Sequence, residues 1–134
     1  MIRVLICDDA AAFSILVTQW ISDCPDLEVV GTATTGADLL EMLGTVSPDV
    51  VVLDHLLGTM DSEELTPLIR AQHAGVGIVL VSGMPSDALA GIADRTGVDT
   101  FASKASKPDD LCDSIRRAAQ RSRRAPEDPP LAAV

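Results

Sequence analysis

Aromatic residues are nearly missing from this chain: one tryptophan, two phenylalanines and no tyrosine among 134 residues. Its core must therefore be filled by Val, Leu, Ile and Ala, the usual packing of sheets covered on both faces by helices. Positive charge is also short. Ten Lys and Arg stand against twenty Asp and Glu, a formal net charge of −10, which argues against non-specific nucleic-acid binding by the domain because phosphates need a basic surface. The three cysteines, Cys7, Cys24 and Cys112, are odd in number, widely spaced and without a CxxC pair, so neither a disulfide framework nor a zinc site is expected. No apolar run approaches the roughly 18 residues that span a bilayer. Signal-peptide anatomy is absent too, because the chain enters a strand pattern at once. A soluble, cytoplasmic protein without membrane contact is expected.

What is present is an alternation. Apolar stretches at Arg3–Cys7, Leu27–Gly31, Val50–Leu53, Gly77–Val81 and Thr100–Ala102 read as strands. Between and after them, AAFSILVTQWISD, GADLLEMLG, SEELTPLIRAQH, PSDALAGIADRTG and PDDLCDSIRRAAQRSRR carry apolar residues three or four apart, the spacing of helices that lay one face on a sheet. Uniformly apolar strands joined by helices imply an α/β fold, a five-stranded parallel sheet buried on both sides. Ser86 with Asp87, and Pro108 with Asp109 and Asp110, are expected to open the last two helices. Gly75 and Gly97 are expected to close the third and fourth. Pro67 should either kink the third helix or move its start to about Thr66. One domain, 1–122, is expected, with 123–134 a Pro-rich tail or the start of a linker.

In an open parallel sheet, ligands bind beside the carboxyl ends of the strands. Those ends carry Asp8 and Asp9 on the first strand, Asp54 on the third, Ser82 on the fourth, and Ser103 with Lys104 on the fifth. The second ends without charge in Gly31, Thr32 and Ala33, as suits an outer strand. Two lysines against eight arginines single out Lys104, because a compact ammonium suits a cramped ion pair or a phosphate contact. Three carboxylates in one pocket raise each other's pKa. A hard divalent cation relieves that repulsion, and oxygen-only ligands point to Mg²⁺. Asp54 between the cation and Lys104 is then a nucleophile toward phosphorus, with Ser82 able to bond a phosphoryl oxygen.

The acid pair after strand one, VVVLD followed by a loop ending in GTMD, the serine after VLV and FASK at strand five together resemble the receiver domain of bacterial two-component response regulators, from about residue 2 to residue 122. The resemblance implies a flavodoxin-like, doubly wound sheet in the order 2-1-3-4-5 with five helices. It makes Asp54 the phosphoacceptor, Asp8, Asp9, Asp54 and the main-chain carbonyl of Leu56 the Mg²⁺ ligands, and Lys104 the family's ammonium. Ser82 and Phe101 become the switch pair, the aromatic turning inward on activation. It implies as partners a sensor histidine kinase or phosphotransfer protein, and a second copy of the chain as a possible one. It implies self-phosphorylation with at most slow self-dephosphorylation, without turnover of an external substrate. The ten residues after helix five are too few for a helix-turn-helix module, so the chain reads as a stand-alone receiver or as the receiver portion of a longer regulator. EVVGTA resembles receivers that precede DNA-binding domains.

Departures from the family pattern are local. HLLGTMD has Gly58 but no proline, so a more mobile loop is expected. Ala105 replaces the proline that commonly follows the lysine, and Ala10, Ala11 and Ala12 are small enough to widen the pocket mouth. Leu56 and Met84 are apolar and suggest slow loss of the phosphoryl group. His55 and His73 read as solvated or dipole-pairing, Trp20 as packing, and the arginines at 116, 117, 121, 123 and 124 as a solvated helix end, with docking of an acidic partner as the sharper alternative. A phosphorylation-independent interaction module of the same fold is the rival reading. An aspartyl-nucleophile hydrolase would need an acid where Ala10 stands, and a flavin carrier would need hydroxyls in DDAAAF.

Overall fold

The computed structural model describes residues 1–124; the segment 125–134, most of the expected tail or linker, lies outside the described residues. Five strands, β1 (Ile2–Cys7), β2 (Leu27–Ala33), β3 (Val50–Asp54), β6 (Gly77–Ser82) and β7 (Thr100–Ser103), form one sheet in the order β2-β1-β3-β6-β7. Every pairing is parallel. This is the expected 2-1-3-4-5 order, with β2, whose carboxyl end carries no charge, outermost. Helices α1 (Ala11–Ser22), α2 (Gly36–Val46), α3 (Ser62–Gln72), α4 (Ser86–Thr96) and α5 (Pro108–Arg124) connect and follow the strands, so the expected domain end at 122 falls within the last turn of α5.

Strict alternation within each strand divides the core in two. Leu5, Cys7, Val51, Leu53, Ile78 and Leu80 face α2, α3 and α4. Val4, Ile6, Val50, Val52, Val79 and Val81 face α1 and α5. Successive strand side chains point to opposite faces, so a strand buried on both sides must be apolar throughout. Trp20 packs partly buried against the α1/α5 layer. At Gly77 the fit is closest: a Cβ there would sit 2.6 Å from the carbonyl oxygen of Ala118, so α5 lies directly on the β6 backbone.

Several local expectations are corrected. The loop after Asp54 is a hairpin, β4 (Leu56–Leu57) paired antiparallel with β5 (Met60–Asp61). Gly58 takes the first turn position at φ +66°, as tight two-residue hairpin turns favour. Helix α3 starts at Ser62 and runs through Pro67. Asp61 and Glu64 form a reciprocal capping box there, with Glu64 N–H donating to Asp61 Oδ1 at 3.0 Å. Pro67 is tolerated because it and Glu63, whose carbonyl loses its partner, both face water. His73, not Gly75, caps α3, whereas Gly97 caps α4 at φ +74° as expected. Pro85, rather than Ser86, occupies the N-cap of α4. Helix α2 extends to Val46 and closes on Ser47 at φ 45°, where the Arg3 guanidinium donates to the free Val46 carbonyl.

Candidate functional site

Four strand ends meet at one rim of the sheet. Parallel register places Asp54 opposite Val81, and Ser82 opposite Ser103. The Asp8 N–H donates to the Ala33 carbonyl, and the Lys104 N–H to that of Ser82, so the functional side chains continue the strand ladders and their backbones are fixed. Asp8 Oδ1 accepts the Ala10 N–H at 2.7 Å. That bond turns the chain from β1 into α1, whose N-cap, Ala10, has no side chain to do it.

Asp8, Asp9 and Asp54 each bring a carboxylate oxygen within 4.8 Å of the other two. Lys104 Nζ lies 2.7 Å from Asp8 Oδ2 and 3.4 Å from Asp54 Oδ1. Its side chain is 24% exposed, against 1% for Asp8 and 10% for Asp54. Although close to the ammonium, Asp8 Oδ2 has no donor aligned along a hydrogen-bond axis. We therefore treat the contact as an ion pair. Burial first, then the neighbouring Asp8 charge, hold the Asp54 carboxyl above the ordinary carboxylate range, against the pull of Lys104. Burial works to lower the Lys104 pKa, but the close carboxylates of Asp8 and Asp54 outweigh it and leave it raised.

The charge balance favours a cation. Three carboxylates and one ammonium leave two negative charges in a largely buried pocket, and the donor set is oxygen only. Together with the unaligned, buried Asp8 Oδ2, this fits a hard divalent ion and not zinc, which would want His or Cys.

The remaining predicted residues fall around this centre. Ser82 is buried, and its Oγ accepts the Met84 N–H at 3.1 Å. Phe101 is 38% exposed on the outer strand β7, so it faces outward and is not core. Leu56 has an exposed side chain in β4. The backbone before it is held by the His55 N–H donating to Val81 and the His55 carbonyl accepting from Ser62. Among the described residues there is no cis peptide bond, so Lys104 joins Ala105 in trans. Met84 packs partly buried against the α2/α3/α4 layer.

Three features escaped sequence reasoning. The Phe13 ring lies under the Lys104 ammonium, 4.8 Å from Nζ to the ring centroid, a cation–π contact that gives the lysine a third partner beside the two acids. Its signal was one of only two phenylalanines, five residues after Asp8. His55 is half-buried, its Nδ1 2.7 Å from the Oγ of the fully buried Ser62, and thus ties the end of β3 to the start of α3. Three arginines of α5 are engaged by their own chain. Arg116 pairs with Asp26 and Asp113, Arg117 donates to Ser114 Oγ, and Arg121 to the Asp99 carbonyl.

The model of the response regulator receiver domain matches residues 4–116. The response regulator protein VraR of Staphylococcus epidermidis is 28% identical over 116 residues, covering 87% of this chain and 56% of that protein. The chain thus spans about half the length of such relatives. The response regulator domain of Thermotoga maritima CheB superposes with a TM-score of 0.78 at 27% identity, covering 90% of this chain and 97% of that one. A two-component response regulator of the LuxR family from Aurantimonas sp. SI85-9A1 shares the fold with a TM-score of 0.82 at 23% identity, over 90% and 86% of the two chains. With the strand order, the acid cluster and the lysine in agreement with that match, this chain belongs to the response regulator receiver domain family.

Proposed function

We propose that this chain is the phosphoacceptor of a two-component system, taking a phosphoryl group from a sensor histidine kinase or phosphotransfer protein onto Asp54. One observation carries the reading: a strand-end carboxylate has an ammonium at 3.4 Å and two further acids whose oxygens are within 4.8 Å. Receiver domains typically use Mg²⁺ at such a pocket, and Asp8, Asp9, Asp54 and the Leu56 carbonyl would hold it here. When bound, the ion supplies charge neutralisation for the transferring phosphoryl oxygens.

The chain's own groups do the rest. A carboxylate oxygen of Asp54 attacks phosphorus, the P–N bond to the donor imidazole breaks, and an acyl phosphate forms. Lys104 balances the added oxygens, and Phe13 and Asp8 keep its ammonium at the rim. Buried Asp54 holds its charge at a cost, so the ionised carboxylate is a better nucleophile than a solvated one. The Ser82 hydroxyl, now accepting from Met84, then turns toward the phosphoryl group, and Phe101 moves inward. The face formed by α4, β7 and α5 shifts between two packings. A second copy of the chain, or an output segment that binds DNA, would read that face. Direct nucleic-acid binding by this domain is not expected at a net charge of −10.

Incubation with acetyl phosphate and Mg²⁺, followed by intact-mass measurement, should add one phosphoryl group to the wild type and none to Asp54→Asn. An unmodified wild type under conditions that label another receiver would favour a phosphorylation-independent interaction module instead.

A further inference from the structure

Two of the three cysteines meet, although 88 positions separate them in sequence: Cys24 Sγ lies 3.6 Å from Cys112 Sγ. Cys24 sits in the turn after α1, its N–H donating to the Ile21 carbonyl and its own carbonyl accepting from Leu27. Cys112 is in the second turn of α5, buried in the layer that packs α1 and α5 on the sheet. Both are free thiols. Cys7 is on the other face of the sheet, in the layer of α2, α3 and α4. It cannot reach either partner without unfolding.

We propose that Cys24 and Cys112 are a modification site: a peroxide-responsive thiol pair that closes into a disulfide bracing the α1–β2 turn against α5. The step balances with a peroxide as oxidant. Cys24, half-buried and the more accessible of the two, takes one oxygen from the peroxide. The O–O bond breaks, leaving a sulfenic acid and water, or an alcohol from an organic peroxide. Cys112 sulfur then attacks the Cys24 sulfur. The S–O bond breaks, hydroxide leaves with the Cys112 proton as water, and the S–S bond forms. Two thiols are oxidised and one peroxide is reduced.

The surroundings assign the order. Burial, then the bond to Cys24, push the Cys112 thiol up to about 12, so it carries almost no thiolate for a direct reaction with peroxide. Its part is to resolve the sulfenic acid already in contact with it. Burial likewise pushes Cys7 up to about 12, which makes it an internal control that stays reduced. Closing the pair requires the sulfurs to approach from 3.6 Å to bonding distance, within reach of side-chain rotation and a small shift of the turn. Neither cysteine belongs to the acid cluster, and the bond forms whether or not Asp54 accepts phosphate.

The test is titration of the full chain with hydrogen peroxide, intact-mass measurement, and then alkylation in denaturant without reductant followed by peptide mapping. The expected product is a monomer two hydrogens lighter before alkylation, in which mapping then finds Cys24 linked to Cys112 and Cys7 alkylated. Its melting midpoint should rise by roughly 10 °C, as a cross-link closing a long loop does. Dithiothreitol should reverse the rise, and Cys24→Ser and Cys112→Ala should each abolish it. A Cys24–Cys24 linked dimer would overturn the proposal. So would a Cys24 sulfinic acid beside a Cys112 that still alkylates, or three free thiols after peroxide treatment.

Discussion

Replacing Lys104 by methionine keeps the aliphatic stem over Phe13 and removes the charge between Asp8 and Asp54. At an effective dielectric constant of about 20, the contacts at 2.7 and 3.4 Å correspond to roughly 6 and 5 kcal/mol of gross attraction. Desolvation of the three groups offsets most of it. Breaking a buried pair by removing one partner costs about 3–5 kcal/mol, and the 24% exposure of the lysine reduces that to about 2–4. With an unfolding entropy of about 2.1 cal/mol/K per residue over 134 residues, a loss of about 3 kcal/mol lowers the melting midpoint by roughly 10 °C. The pH dependence fixes the cause. In the wild type the Lys104 pKa is raised in the fold, so its stabilisation is complete below the ordinary value of 10.5 and is lost as pH rises through the folded value. In Lys104→Met the deficit should be largest near neutrality. It should shrink as acid neutralises Asp54, whose pKa burial already holds above 3.8. Calorimetry in EDTA at about pH 7 and at about pH 3.8, where the raised pKa leaves Asp54 mostly protonated, measures both, and millimolar Mg²⁺ at neutral pH should restore part of the loss. A change below about 2 °C at pH 7, or an equal loss at both pH values, would refute the electrostatic reasoning.

Three further outcomes follow from named contacts. Asp54→Asn should raise the melting midpoint of the metal-free protein at neutral pH. The folded pKa of Asp54 is raised, so its ionised form costs stability above that value, and the gain should fade as pH falls through it toward 3.8; a gain that persists unchanged in acid would contradict this. Phe13→Leu should show a coupling of about 1 kcal/mol to Lys104→Met in a double-mutant cycle of chemical denaturation, the worth of a half-buried cation–π contact. Additive effects would remove Phe13 from the site. Gly77→Ala, which drives a methyl to 2.6 Å from the Ala118 carbonyl oxygen, should destabilise by about 1–3 kcal/mol in the same assay.

The central strands β3 and β6 were legible because they are buried on both faces, and continuous apolar runs such as VVVL and IVLV tolerate no other placement at this length. The rim followed from them. Once five strands are parallel, the residues after each run share one edge, and Asp8, Asp9, Asp54, Ser82 and Lys104 came with it. The capping box at Asp61 and Glu64 was also written in the sequence as DSEE, but Pro67, itself a common first helical residue, offers a competing start for the same helix. The hairpin after Asp54 has strands of only two residues, too short for any periodicity, and Gly58 was its one local sign. Other features were unreadable in principle. Whether Cys24 meets Cys112, or Phe13 meets Lys104, depends on how α1 and α5 are rotated against the sheet. A periodic pattern gives the buried face of a helix but not which of its residues touch a given residue of another element.

The central claim is that Asp54 itself forms the acyl phosphate. Borohydride reduction after treatment with acetyl phosphate and Mg²⁺ converts a phosphorylated aspartate to homoserine, which tandem mass spectrometry can locate. Homoserine at position 54, absent when EDTA replaces Mg²⁺, is the predicted result. Homoserine at Asp8 or Asp9, or at no position in a folded protein, would contradict the account.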